Sequence, residues 1–396
     1  MNWREDIFDN FVRFKRGFDL PEASLELGPY PVIASTSIMA HHKDYRVKGP
    51  GVVTGRSGSL GSVQYVQGNY WPHNTSLYVK DFKGNNPRYA FYILQKMHLE
   101  NFNSGAGVPT LNQNHLHRLK IRIPPLQTQR KIAAILWAYD ELIENNKRRI
   151  ELLETIAEEI YREWFVRLRF PGHQDRKSIK GVPTGWEVRR LESIGTEIRQ
   201  SVKKKDLSNE ENYLGLEHIP RRSISIKERT TAETVISDKL RFQERDILFG
   251  KIRPYLHKVA LAHFSGVCSS DTIVIRPRNT TYEGYLLFTV FSDTFVDLAT
   301  VASKGTKMPR ADWGFLKKLE LAVPSKEVVE AYQQRFDVMF SEIVNLLRAN
   351  EMLITSRDAL LLRLISGKLS VENLVVQFPP SMVEELNGER GQAKNA

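Results

Sequence analysis

Two stretches of the chain alternate between apolar and polar residues with a helical period. Ile132, Leu136, Tyr139, Ile143, Ile150, Leu153, Ile156, Ile160 and Trp164 fall three, four or seven residues apart. That spacing lays one apolar stripe along a helix from about residue 126 to about 165, stopping before Pro171-Gly172. Tyr332, Phe336, Met339, Ile343, Leu346, Leu353, Leu360 and Leu364 repeat the pattern, which closes at Gly367. At 1.5 Å per residue, forty residues make a rod of roughly 60 Å, longer than a compact domain of ordinary size requires. The stripes predict helices that pair, each rod with the other. Just before each rod the period changes to two: KIRIP and LELAVP read as short strands.

The rods are the most visible part of a repeat. Trp3 and Tyr30-Pro-Val-Ile-Ala match Trp186 and Tyr213-Leu-Gly-Leu-Glu at an offset of 183. Gly55-Arg-Ser-Gly-Ser-Leu matches Gly250-Lys-Ile-Arg-Pro-Tyr at 195. GVPTLNQNHLHRLKIRIPPLQ, from Gly107, matches KMPRADWGFLKKLELAVPSKE at 200, so that Pro109, Leu116, Leu119 and Pro124 recur as Pro309, Leu316, Leu319 and Pro324. The growing offset puts extra loop residues in the second copy, 12 of them between Tyr213 and Gly250. The predicted plan is a mixed α/β (α+β) chain. A globular domain over 1–124 is followed by a long helix over 125–170 and a linker over 171–185. A second such domain over 186–324 is followed by a second long helix over 325–368, the two helices pairing with each other. A tail over 369–396 is expected to fray.

Charge sharpens this plan. Residues 1–125 carry a net +6 and 171–324 a net +7, whereas 126–170 are neutral and 325–396 carry −2. The excess that makes the chain +11 sits in the globular copies, as it would if these bind phosphate and the rods bind protein. A single cysteine, Cys268, forms no internal disulfide and suits a reducing compartment. No apolar run approaches the ~20 residues of a membrane span, and the first residues lack the apolar core of a secretion signal. A cytoplasmic protein without a membrane partner is expected.

Catalytic patterns are missing. There is no phosphate-binding loop with its lysine, no Gly-x-Gly-x-x-Gly after a strand, and no Asn/Asp-Pro-Pro-Tyr/Phe of adenine methyltransferases. GRSGSLG, from Gly55, reads as a turn between strands. His41-His42 lacks a third metal ligand. These patterns single out no catalytic residue and no metal ligand.

Cations on loops beside small polar residues suit phosphate and base-edge contacts. The first copy offers Lys43, Arg46, Arg56, Ser57, Asn112 and Asn114. The second offers Lys203, Lys204, Lys205, Arg221, Arg222, Lys251, Arg253, Lys307 and Arg310. In the closing stretch the anchors Leu116/Leu316 and Leu119/Leu319 agree while the polar positions between them differ. Two readers of two different words would show that pattern. An enzyme with unrecognised motifs (a methyltransferase or a nuclease) and a coiled-coil adaptor without DNA contact remain the competing readings of these residues.

Together these features resemble the specificity (S) subunit of type I restriction–modification systems. The resemblance rests on two copies, each opening near a Trp (Trp3, Trp186) and closing in Gly-x-x-x-Pro…Leu-x-x-Leu with a final Pro (Gly105 to Pro124, Gly305 to Pro324). It rests also on Ile247 to Ala260, ILFGKIRPYLHKVA, and on the ending SRDALLLRLISGKLSVEN, Ser356 to Asn373. The first rod begins Pro-Pro-Leu…Gln as in that family; the second does not. The resemblance implies that each globular domain is a target-recognition domain that reads half of a split double-stranded DNA target, and that the two helices, paired as an antiparallel coiled coil, set the unread spacer. It also implies that two modification (M) subunits and restriction (R) subunits dock. Those partners would use S-adenosylmethionine, ATP and magnesium for adenine-N6 methylation and DNA cleavage, and this chain would hold no catalytic centre.

Overall fold

The computed structural model describes residues 3–383 except 176, 177, 180, 304, 306 and 307. It divides into two compact units, Met1–Ile143 with Met352–Ala396, and Glu144–Glu351.

The first unit contains strands β1 (Arg4–Ile7), β2 (Arg13–Arg16), β3 (Tyr30–Ile33), β4 (Ile38–His42), β5 (Gly51–Gly55), β6 (Val63–Val66), β7 (Trp71–Pro72) and β8 (Ser76–Asp81). Helices α1 (Pro87–Lys96) and α2 (Gln113–His117) and strand β9 (Lys120–Ile123) complete its domain, and α3 (Leu126–Tyr161) follows. The strands form a four-stranded sheet β2-β8-β5-β6, a three-stranded sheet β4-β3-β7 and a pair β1-β9. The Gly55 stretch is the expected turn, since β5 and β6 pair antiparallel on either side of it.

The second unit opens with a hairpin of β10 (Ser178–Ile179) and β11 (Val182–Pro183), followed by β12 (Glu187–Arg190), β13 (Gly195–Ile198), β14 (Ser201–Val202) and β15 (Asn212–Leu214). Next come β16 (Thr230–Thr231), β17 (Lys239–Phe242), β18 (Ile247–Gly250), β19 (Val259–Leu261), β20 (Gly266–Cys268) and β21 (Thr272–Pro277). Helices α4 (Glu283–Phe291), α5 (Asp293–Val301) and α6 (Trp313–Leu316), strand β22 (Glu320–Val323) and helix α7 (Lys326–Ile365) end the series. Its sheet β13-β21-β18-β19 repeats the order of β2-β8-β5-β6.

Strand registers confirm two of the offsets residue by residue. Arg4 faces Ile123, and Glu187 faces Val323, offsets of 183 and 200. Gly55 lies opposite Ser76, and Gly250 opposite Thr272. The match of Tyr30 with Tyr213 is corrected by two residues. Ile33 pairs with Pro72 and accepts from His73 N, whereas Leu214 pairs with Cys268 and accepts from Ser269 N. Ile33 therefore corresponds to Leu214, and Tyr213 stands in the place of Val32. Strand side chains alternate with period two, so a slip of two preserves the inward face and is invisible to pattern matching. The main insertion is then the stretch 215–229, because Leu214 to Thr230 spans 16 residues where Ile33 to Ala40 spans 7. This loop leans on both long helices: Ser223 Oγ donates to Glu154 at 2.9 Å, and Arg229 grips Glu351 through two bonds of 2.7 and 3.1 Å.

Each long helix is shared between units. In the first unit, Ile132 and Leu136 are buried in one core with Leu361 and Leu364, and Arg357 bonds Asp140 at 2.5 Å. In the second, Asn146 donates to Asn350 at 2.9 Å, Arg149 to Glu342 at 2.6 Å, and Tyr332 to the Ala157 carbonyl at 3.2 Å. Within each unit the partner number falls as the α3 number rises, so the helices run antiparallel. α3 passes into a π-helical turn, Arg162–Val166, which reaches the expected end.

The apolar stripes do more than pair the helices. Ile132 and Leu136 belong to the first domain's core, and Phe336 packs under α4 against Phe288 with centroids 6.0 Å apart. A cluster made by the helices alone contains Ile150, Ile343, Leu346 and Leu347, with Leu153 against it. Ile143 is buried, whereas Tyr139, Leu153, Ile160, Leu353 and Leu360 are half-buried and Ile156 is exposed. A helix of 3.6 residues per turn drifts across a seven-residue repeat. Its stripe therefore widens to serve a neighbouring domain as well as a partner helix.

Over its described residues, 369–383, the tail differs from the fraying expected of it; 384–396 lie outside the described residues. Val371 and Met382 are buried, and Val376 and Phe378 pack on the same first-unit core. Trp137 Nε1 donates to Ser381 Oγ at 3.0 Å, and Lys131 Nζ to the Glu372 carbonyl at 2.7 Å. These apolar contacts offset the entropy of ordering the segment. Among the described residues no single helix is long and apolar enough to cross a membrane; the apolar pair α4–α5 lines the second domain's core.

Candidate nucleic-acid interface

The turn after β5 and the closing stretch before α2 are about fifty residues apart in sequence and lie side by side. Arg56 N–H donates to the Thr75 carbonyl at 2.8 Å, Leu111 N–H to the Arg56 carbonyl at 2.8 Å, and Gly58 N–H to the Pro109 carbonyl at 3.0 Å. The second copy repeats all three bonds. Lys251 N–H donates to Asp271 at 2.8 Å, Ala311 N–H to Lys251 at 2.9 Å, and Arg253 N–H to Pro309 at 2.8 Å. The bridges Ser57–Thr110 and Ile252–Arg310 continue the match.

Both closing stretches then enter a short helix in the same way. Asn112 Oδ1 accepts from Asn114 N–H at 3.0 Å, and Asp312 Oδ1 from Gly314 N–H at 2.9 Å. Each is the cap residue whose side chain satisfies an orphan donor. Leu116 and Leu316 are fully buried, and the carbonyls of Leu119 and Leu319 accept from Phe8 and Leu191 N–H. The caps and the buried leucines thus fix the backbone of each closing stretch in the same way.

In the first domain, Arg56 is half-buried and donates through Nε to the Asn74 carbonyl at 2.9 Å. Burial, then the neighbouring Arg16, hold its pKa below the usual guanidinium value, against the pull of Asp19. Ser57 supplies its carbonyl to Ser35 Oγ at 2.9 Å. Arg46 is exposed and lies 4.6 Å over the Trp71 ring, while Lys43 pairs with Glu26 at 2.8 Å on the surface. Asn114 is exposed.

In the second domain, Arg199, Lys251 and Arg310 line one cavity of about 310 Å³ with Glu197, Asp312 and Trp313. Arg199 pairs with Glu197 at 2.8 Å, and Arg310 Nε donates to Asp271 at 3.1 Å. Arg253 is exposed at φ +51°, left-handed backbone, at the place where the first copy has Gly58 at φ +88°. Arg222 N–H donates to the His257 carbonyl, which brings Arg221 and Arg222 beside the turn that starts at Arg253; Arg222 also pairs with Asp293 at 2.9 Å. Lys203, Lys204 and Lys205 are exposed on a separate turn held to Asp238 through Lys204 N–H. Lys307 lies outside the described residues.

Sequence reading missed Arg16 and Arg199. Arg16 lies opposite Leu77 on β8. Ile198 faces Val274, so Arg199 follows at the level of Ile273, the counterpart of Leu77. The two arginines differ by 183, the offset of the tryptophans, so the repeat itself held the signal. His42, by contrast, is buried, and its Nδ1 bonds the Glu26 backbone at 3.1 Å, a contact within the fold. Among the described residues no group of three or more His, Cys, Asp or Glu side chains could hold a metal ion.

Comparison with known proteins joins these observations. The type I restriction–modification DNA specificity domain matches residues 8–155 and 183–377. The chain is 24% identical over 304 residues to the type I restriction enzyme MjaIX specificity subunit of Methanocaldococcus jannaschii, covering 72% of this chain and 70% of that one. It is 24% identical over 302 residues to the EcoDI specificity subunit of Escherichia coli, covering 68% and 66%. Its fold is similar to the crystal structure of a type I restriction–modification S subunit from M. genitalium, with a TM-score of 0.61, 14% identity, and 92% and 96% of the two chains covered. The chain spans about two thirds of the length of these two curated relatives, which are named specificity subunits of restriction enzymes. With both copies matched over most of its length, the chain belongs to the type I restriction–modification DNA specificity family.

Proposed function

We propose that the chain is the sequence-reading, non-catalytic subunit of a cytoplasmic type I restriction–modification complex. Each domain reads one half of a split double-stranded DNA target, and the helices shared by both units act as the spacer. Two modification subunits and restriction subunits dock on it. S-adenosylmethionine, ATP and magnesium serve those partners, and none is held by this chain.

The observation that supports this reading best is the seam of turn and closing stretch. It is built twice with the same backbone bonds and carries different polar side chains each time. A common scaffold with unlike reading residues suits two half-sites. Base contacts supply discrimination, about 1–3 kcal/mol for a good bidentate pair, and phosphate contacts supply affinity that weakens with salt.

The spacer role is tested by inserting about one helical turn between Asn145 and Arg149, with a matching insertion in α7 beside Asn350 to keep the Asn146–Asn350 pair in register. Methylated adenines mapped in host DNA should show the old half-sites at a new separation. Altered half-sites at the old separation would contradict the proposal.

A further inference from the structure

The two copies can be used to separate contacts common to both readers from contacts private to one. Two cationic positions beside the third, variable place are common. Arg16 and Arg199 occupy matching places at the ends of β2 and β13. Arg56 and Lys251 occupy matching places in the turn, fixed by the same pair of backbone bonds. A third place differs, and it differs in two residues together. The first copy has Thr75 and Thr110; the second has Asp271 and Arg310, joined at 3.1 Å.

We infer that Arg310, aimed by Asp271, reads a guanine edge in the second half-site, whereas Arg16/Arg199 and Arg56/Lys251 hold phosphate in both. The inference rests on the reading of the chain as a DNA-specificity subunit. Its geometry is that of a braced fork. Asp271 engages Nε, which leaves the two terminal amino groups of Arg310 for an outside partner, and the side chain is 45% exposed. Two parallel donors match the O6 and N7 acceptors of guanine in the major groove, a pattern no other base offers. A brace on Nε limits the conformations the fork would otherwise lose on binding. The repeated cations suit the complementary task. A cation needed by readers of different words cannot carry the word, and phosphate is what every duplex shares.

The test uses the full chain assembled with its modification subunits. The target is first read from methylated adenines in host DNA. Binding is then measured on a duplex carrying that target and on every single-base-pair variant, between about 50 and 200 mM salt. Arg310→Ala should lose roughly tenfold or more of the preference for G·C at one position of one half-site and leave the other half-site unchanged. Arg310→Lys should lose that preference too, although it keeps the charge, and Asp271→Asn should weaken it at the same position. Arg199→Ala should weaken all duplexes alike and reduce the slope of log affinity against log salt by about one.

Uniform weakening by Arg310→Ala with a reduced salt slope would overturn the inference, as would a change of preference at a single position caused by Arg199→Ala. A wild-type complex that fails to distinguish its target from other duplexes would instead remove the specificity-subunit reading itself.

Discussion

The two copies fasten their domains to the long helices with the same group delivered from different places. In the first, Arg88 on α1 is buried, with its guanidinium 4.4 Å over the Trp137 ring of α3 and 5.0 Å over Tyr65. Ser381 of the tail accepts from it at 3.3 Å. The counterpart of Arg88 on α4 is Gly284, and an arginine there is impossible. A Cβ would meet Phe336 at 2.8 Å and Tyr332 at 3.0 Å. The second copy brings Arg245 from the turn between β17 and β18. It bonds the fully buried Glu283 at 2.6–3.0 Å and reaches Asp337, the α7 residue that corresponds to Trp137. The repeat preserves where a cation must touch the helix, and not which residue supplies it.

The largest effects should come from removing those cations. Arg245→Ala strands the Glu283 carboxylate without its partner and should cost the second unit about 3–5 kcal/mol. Arg88→Ala leaves a cavity and forfeits two aromatic contacts, for about 2–4 kcal/mol in the first unit. Denaturation of the full chain, with hydrogen exchange to locate the loosened unit, checks both. An Arg88→Ala loss in the second unit, or none at all, would mean that Arg88 does not fasten the first domain to its helix.

A smaller effect separates the turns. Gly58 has the left-handed backbone without penalty, whereas Arg253 pays for it with a side chain. Arg253→Gly should raise stability by up to about 1 kcal/mol, and Gly58→Arg should lower it by a similar amount, measured as midpoint shifts in urea. A destabilising Arg253→Gly would mean that the side chain contributes more to the fold than its exposure suggests.

Much of this architecture is legible in the sequence because it obeys simple periods. Both rods, the Gly55 turn and the anchors Leu116 and Leu316 follow from spacing and burial. The offsets 183, 195 and 200 are read from residues that recur, Trp3/Trp186 and Gly55/Gly250 among them; at Gly55 a Cβ would come within 2.1 Å of the Ser59 carbonyl. The rest depends on tertiary neighbours. Nothing in a helical stripe says that Phe336 faces a domain and Ile343 a helix. The order in the tail comes from Val371, Phe378 and Met382 meeting a core remote in sequence. Arg16 and Arg199 look like ordinary surface charges until strand register sets them at the same place. Asn112 and Asp312 look like free polar residues until their caps are seen.

If the two domains read independently across one spacer, as proposed, replacing residues 1–124 with the corresponding domain of another family member should change one half-site in the methylated adenines mapped in the host genome and leave the other half-site and the spacer as they were. A change in both half-sites would show that the two domains do not read independently.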